Sequence, residues 1–441
     1  MLSFLNRRTG RRPGNAYLWC GLAALLLFAS TAAQAVPSYA RQTGAACADC
    51  HAGAYGPALT PYGMRFKLNG YTDTDGNGGK IPLAAQLIAT RSMPARGEST
   101  TRLTEADLYL AGRLTDQIGG YVKVENSNTG NNTFRTRLNN IDLRFVARDL
   151  KLGDREATLG VSVNNNPGFQ DPIGALPGAA GIGPPSVSGT LLNLSALAHR
   201  VIGASIYGLY DSAWYGEVGS YTSLPTSQQD HLGYAVSGDP GKLSDTGYVR
   251  FAYMKDLKRQ FFSAGVVALS TRRQLPRSGP RDDLTDLGYD LSYQFLGNRE
   301  HIVQLSYTNI LERRRYGSTP AAARARGIVR DQTTSLTYTF RQSWGITLAH
   351  LVNSGSRDAV RYTPYGVPDT TSNLVGVSWA PFGKDDSYTS LANLKIAATW
   401  FRFARFNGSR TNVFGTAPGS AVPVTDARDL DAFSLSLSAA F

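Results

Sequence analysis

The sequence predicts an all-β fold, an outer-membrane antiparallel β-barrel of about sixteen strands, with a short N-terminal segment plugging its periplasmic mouth. Three observations predict it. From about Ile81 onward apolar residues alternate with polar or small ones in stretches of ~10 residues, and no apolar run there approaches the ~20 residues of a spanning helix. The connections between stretches alternate between short and long. The chain ends on Phe441, after Phe433, Leu435, Leu437 and Ala439 at every second position, as a final barrel strand does.

The stretches themselves are clear. EADLYLAGRL alternates through Ala106, Leu108, Leu110 and Gly112; NIDLRFVA through Ile141, Leu143 and Phe145; ATLGVSV through Leu159, Val161 and Val163. GYVRFAYM, LGYDLSYQF, SLTYTF and SWGITLAHLV repeat the pattern through Val249 and Phe251, Leu287 to Phe295, Leu336 to Phe340, and Trp344 to Leu348. The opposite faces carry Thr, Ser, Asp, Arg and Gly, so the apolar face is the outer one. Short connections are expected near 116–117, 211–212, 257–259, 297–299 and 341–343. Long ones are expected near 93–103, 128–137, 166–200, 224–245, 273–283, 313–329, 355–370 and 407–427. GTLLNLSALAHR, with Leu191, Leu194, Leu197 and Ala198 at helical spacing, belongs to the third long loop rather than to a strand. Short periplasmic turns and long external loops are the barrel rule; a β-sandwich would not repeat so regularly.

Residues 1–35 read as a secretory leader: Arg7, Arg8, Arg11 and Arg12, an apolar run from Tyr17 to Ser30, and the small-x-small site Ala33-Gln34-Ala35. The run is too short for an uncleaved anchor, and Cys20 leaves with it. Setting those arginines aside takes the formal charge from +12 to about +8. For an exported chain a basic balance points to acidic lipid head groups or an acidic redox partner and not to nucleic acid.

Residues 36–79 precede the barrel at 80–441. Their signature is Cys47-Ala48-Asp49-Cys50-His51, the Cys-x-x-Cys-His attachment motif of one c-type haem. Cys47 and Cys50 would form the thioethers and His51 would be the proximal iron ligand. No second Cys/His pair lies nearby for zinc. Met64 is a candidate distal ligand, Met254 a second, and an open position a third possibility. The remaining histidines fit poorly, since His301 and His350 fall on outward faces and His199 and His231 in loops. Asp73, Asp75 and Asn77 have the spacing of a calcium loop, but Ala84 stands at its twelfth position, so a polar turn is the better reading. The segment is too short for a core of its own, so it is expected to use the barrel wall.

The stretch from Pro37 to Tyr71 resembles the fused outer-membrane cytochrome–porin family, whose best-known members are iron(II) oxidases of iron-oxidising bacteria. The matching elements are Ala40-Arg41-Gln42-Thr43-Gly44, the haem motif, Pro57-x-Leu59, Gly63, Phe66-Lys67 and Gly70-Tyr71. The remainder matches in architecture only. The resemblance implies an electron conduit: extracellular iron(II), free or chelated, gives electrons through one covalently bound haem to a periplasmic cytochrome. It would be an iron(II):cytochrome c oxidoreductase working by outer-sphere transfer, with no catalytic residue beyond the haem. Electron export through the same haem is the reverse reading. An anion-selective porin with the haem as redox sensor or plug is a third, favoured by lumen-facing arginines such as Arg144 and Arg250.

Arginines crowd two external stretches: Arg313, Arg314, Arg315, Arg324, Arg326 and Arg330, and Arg272, Arg273, Arg277 and Arg281. They would repel a free dication. Contact with lipopolysaccharide phosphates is the plain expectation, attraction of an anionic chelate the sharper one.

Overall fold

Period-two patterning becomes a wall with an apolar outside. The computed structural model describes all residues except 1–35, 79, 131–132, 177–181, 184, 186, 194–196 and 384–391; the leader therefore lies outside the described residues. Sixteen antiparallel strands close into one barrel, each paired with its sequence neighbours and β1 with β16. They are β1 Leu83–Pro94, β2 Thr100–Arg113, β3 Ile118–Gly130, β4 Thr133–Leu152, β5 Arg155–Asn164, β6 Val201–Tyr210, β7 Trp214–Ser223 and β8 Lys242–Asp256. The second half comprises β9 Gln260–Gln274, β10 Arg281–Phe295, β11 His301–Arg315, β12 Arg326–Phe340, β13 Trp344–Gly355, β14 Thr370–Trp379, β15 Asn393–Arg405 and β16 Ala432–Ala440.

Parity follows the expectation. Leu108, Leu110, Phe145, Leu159, Val249, Phe251, Leu291, Leu336 and Ile346 are exposed on the outer wall, while Tyr109, Asp142, Arg144, Arg250 and Met254 are buried on the inner one. Closure removes the free sheet edges, and an exposed aliphatic and aromatic exterior needs hydrocarbon around it. The chain is thus a barrel of the Gram-negative outer membrane.

The connections depart from expectation in two ways. β3 and β4 run on to Gly130 and from Thr133, where a long loop at 128–137 was expected. β1, β2, β9 and β10 likewise consume about half of the loops expected at 93–103 and 273–283, because polar strand ends outreach the hydrocarbon layer and keep their ladder bonds. The 191–198 stretch is not a strand, but its described residues form turns instead of the helix its spacing suggests.

The segment before β1 carries three short helices: α1 Pro37–Thr43, α2 Cys47–Cys50 and α3 Pro61–Leu68. Proline sits in the first turn of α1 and α3, where no backbone donor is lost. α1 ends on Gly44 at φ +69°, and the Thr60 hydroxyl caps α3 by accepting from the Gly63 N–H. The segment lies at the short-turn end, tied to the wall by Asp49 to Arg299 (2.6 Å), Gly53 N–H to Gln342 (3.0 Å) and Asn393 to the Ala54 carbonyl (2.6 Å).

Loop 165–200 folds into the lumen. The backbone N–H groups of Thr190, Leu191 and Leu192 donate, each at 2.8 Å, to Asp331, Glu312 and Asp286 on β12, β11 and β10. Its Leu176, Leu191, Leu192 and Leu197 bury against inward Leu269, Leu284 and Ile310. On this side the lumen is packed with protein.

If the exterior is bilayer-facing, Leu291→Arg on the outer face of β10 costs about 2–4 kcal/mol of folding free energy near the bilayer midplane. Urea titration of the barrel refolded into lipid vesicles checks it, and an unchanged midpoint would contradict the assigned exterior.

Candidate functional site

Cys47, Cys50 and His51 meet because one turn of helix and a tight antiparallel bridge bring them round. The His51 N–H donates to the Cys47 carbonyl (2.9 Å), closing α2, and His51 bridges to Leu59. α3 packs directly on this turn. A Cβ on Gly63 would lie 2.3 Å from the Cys50 carbonyl oxygen, so only glycine allows the approach. Both sulfurs are free.

All three side chains line one recess, open on one side, whose space including that opening is about 980 Å³. Its floor and sides come from the segment: Tyr39, Leu59, Gly63, Phe66, Lys67 and Tyr71. Tyr121 of β3 adds wall, and Phe169, Asp171 and Gly174 of the inserted loop form the roof. Tyr39 stacks on Tyr71 at 5.3 Å and meets Phe66 edge-on at 5.0 Å.

Burial controls the polar groups. It pushes the His51 imidazole down to about 4, only partly offset by the Ala58 carbonyl, so the ring is neutral with a lone pair to give. Its Nδ1 is buried without a hydrogen-bond partner. Burial raises both thiols, Cys50 to about 12, so neither is a thiolate at neutral pH. Two charged side chains line the recess. Asp171 is committed to Arg250 (3.3 Å) and to the N–H groups of Ala175 (2.9 Å) and Leu176 (3.3 Å). Lys67 forms no ion pair among the described residues; burial lowers its amine to about 8, opposed by the field of Asp142.

Helix phase separates the sequence candidates. Gly63, Phe66 and Lys67 face the recess, while Met64 and Leu68 face the other way. Met64 is buried with Met254, Tyr207, Tyr215 and Phe261 in a wall cluster and is absent from the recess lining. Met254 faces the lumen as its parity predicts, but also packs in that cluster. His51 is the only imidazole lining the recess, and no thioether lines it. Asp73 pairs with Arg148, and Asp75 with Lys80 (3.3 Å), so the two carboxylates of the 73–79 turn serve different cations. Among the described residues no group of three His, Cys, Asp or Glu side chains could hold a metal ion.

Sequence reasoning missed two of the buried cation nodes. Arg144 bonds Asp142 on its own strand (3.0 Å), the Lys67 carbonyl of the segment (3.3 Å) and the Gln170 carbonyl of the inserted loop (3.0 Å). The Tyr71 hydroxyl donates to the same Asp142 (2.6 Å). Arg250 pairs with Asp171 and Asp290, all three fully buried. Both arginines face the lumen as expected, yet both are consumed by ion pairs and offer nothing to a passing anion. The external arginines also divide. Arg273 and Arg277 pair with Asp282 (3.8 Å) and Asp239 (2.8 Å), and Arg314 turns inward to Glu312 and Ser188. Arg313, Arg326 and Arg330 are exposed on the barrel's outside.

No protein-family profile matches the chain, and comparison with curated proteins finds no relative. Solved structures of similar shape include OmpT of Vibrio cholerae, 11% identical with a TM-score of 0.45 over 81% of this chain and 96% of that one. Salmonella typhi OmpF in complex with daunomycin is 9% identical with a TM-score of 0.46 over 82% and 98%. An anion-selective porin from Comamonas acidovorans is 11% identical with a TM-score of 0.44 over 81% and 98%. At this level the likeness carries no functional argument.

Removing the Arg144 guanidinium strands the fully buried Asp142. Arg144→Met should cost about 3–5 kcal/mol, and Arg144→Met with Asp142→Leu should recover most of it. Urea titration of the two variants in vesicles decides; equal losses would mean that the pair does not hold the lumen together.

Proposed function

We propose that this barrel is an electron conduit: an iron(II):cytochrome c oxidoreductase that takes electrons from extracellular iron(II), free or chelated, and passes them through one covalent haem c to a periplasmic cytochrome. The observation that carries the reading is that Cys47, Cys50 and His51 line a single large recess walled by aromatic side chains. The residues fit the group. Two free sulfurs stand one helical turn apart, and a neutral imidazole is the recess's sole lone-pair nitrogen ligand apart from Lys67. When bound, the haem supplies a one-electron carrier.

The chain's own residues do the rest. Cys47 and Cys50 would tether the haem, and His51 would be an iron ligand. Tyr39, Phe66 and Tyr121 would give it apolar contacts. Lys67 is the one uncommitted cation available to its carboxylates, which need a partner in a dry site. Met64 would have to leave its wall cluster to reach the recess, so it does not fit the role of distal ligand in this arrangement. The packed lumen favours electrons over solutes, because outer-sphere transfer needs no open pore. Direction follows from potentials, so export remains the same device run backwards.

A second reading, an anion-selective porin with the haem segment as plug or sensor, draws on the sixteen-strand closed barrel itself, which is the porin architecture. A further space of about 1060 Å³ runs between residues 52–58 and the threonine-rich wall of β12–β15, with Lys395 on it. Liposome swelling separates the two readings: a conduit should not admit sugars.

Under anaerobic stopped flow, iron(II) should reduce the oxidised protein and give reduced-haem bands, with free and citrate-bound iron compared side by side. Cys47→Ser with Cys50→Ser should abolish the covalent haem signal in pyridine haemochrome assays. Reduction by dithionite but not by iron(II) rejects iron as donor, and sugar-permeable liposomes reject the conduit. Lys67→Met removes a positive charge beside the macrocycle and should shift the reduction equilibrium about tenfold toward the oxidised state, ~59 mV for one electron. Spectroelectrochemistry checks it, with Lys67→Arg expected to restore the value.

A further inference from the structure

The outer end of the barrel carries a one-sided cluster of arginines that strand register assembles. Asp283 of β10 stands opposite Arg272 of β9 and Arg315 of β11, and Arg315 stands opposite Arg326 of β12. The four positions form one row on the outer wall. Arg313 lies two residues toward the membrane from Arg315, about 7 Å along the strand, and Arg330 four residues from Arg326. Arg281 lies two residues the other way.

All six arginines are exposed. Asp283 is the only carboxylate in the row and is shared, 3.8 Å from Arg272 and 4.0 Å from Arg315. Arg272 also reaches Asp245 (3.1 Å). Arg281, Arg313, Arg326 and Arg330 form no ion pair among the described residues. Directly below, the same outer face turns amphipathic and then apolar. Asn309 and Gln332 donate to the Tyr307 hydroxyl (3.1 and 3.0 Å), and Leu291, Leu305 and Leu336 follow. Tyrosine hydroxyls at this height mark the interface of the bilayer. The guanidinium groups therefore stand just above the outer hydrocarbon boundary, facing sideways into the leaflet and not into the mouth of the barrel.

We infer that the outer wall of β9–β12 is a binding site for the phosphorylated head group of lipid A, the lipopolysaccharide anchor of the outer leaflet. Guanidinium forks bind phosphate bidentately, the acyl chains lie along the leucines below, and two phosphates match a patch that is extended rather than a point. This site is separate from the recess and stands whether or not a haem is bound.

The test uses the full barrel in detergent, delipidated and titrated with bisphosphorylated lipid A, with binding followed by native mass spectrometry. Arg313→Ser, Arg315→Ser, Arg326→Ser and Arg330→Ser combined should weaken binding about tenfold or more, with the barrel still heat-modifiable on gels. The matching four-lysine variant, which keeps charge but loses the fork, should bind with intermediate strength. Equal binding by wild type and the serine variant overturns the site. So does equal affinity of the wild type for phosphate-free lipid A. Full displacement by inorganic phosphate alone, or equal binding of phosphatidylglycerol, overturns the lipid A assignment in favour of a free anion or a generic anionic lipid.

Discussion

One buried ion pair joins the three parts of the molecule. Arg144 and Asp142 stand at successive inward positions of β4, and from there they hold the wall, the N-terminal segment and the inserted loop at once. A buried guanidinium needs partners for its donors, and here they go to Asp142 and to carbonyls of the segment and of the inserted loop. Both elements border the recess. Its floor hangs from the Lys67 carbonyl and its roof from Gln170, both fixed to the same side chain.

Around the described part of the inserted loop the lumen is accordingly protein interior. Arg250 repeats the device one quarter of the wall away, locking Asp171 of the roof to Asp290 of β10. Three carboxylates on β10, β11 and β12 then take the backbone donors of the returning loop, which would otherwise be orphaned inside. Leucines of the loop pack against the inward leucines beside them. Much of the inner wall that reads as polar in sequence thus meets protein groups here.

What the sequence made legible was what is local and periodic. Outward faces such as Leu287-Tyr289-Leu291 obey a period of two because lipid demands it, so parity and strand number follow from counting. The connections misled where strands outlive the membrane, as at Gly130 and Thr133. The recess was legible only at its motif. Cys47, Cys50 and His51 are neighbours in the chain, but Phe169 and Tyr121 join them through contacts that no spacing announces. Met64 was a candidate because it is the segment's one thioether; its phase on α3, one residue from Gly63 and four from Leu68, turns it to the wall, and the apolar pair Met64/Leu68 was the available signal. Arg144 and Arg250 turn inward as parity predicts, but carboxylates and carbonyls claim them instead of a passing anion. Their partners Gln170 and Asp171 lie on a loop whose fold inside the barrel the sequence does not encode in any repeat.

The segment's tethers reach far along the chain: Gly53 to Gln342 and Ala54 to Asn393. This imposes an order on biogenesis. Residues 36–72 are the first of these elements to be made, yet their seat is complete only when β15 has arrived, more than three hundred residues later. Between those moments the turn at Cys47 and Cys50 is uncovered, and once the sheet closes between β1 and β16 it faces the recess. Those sulfurs are thus most open to chemistry before the barrel closes.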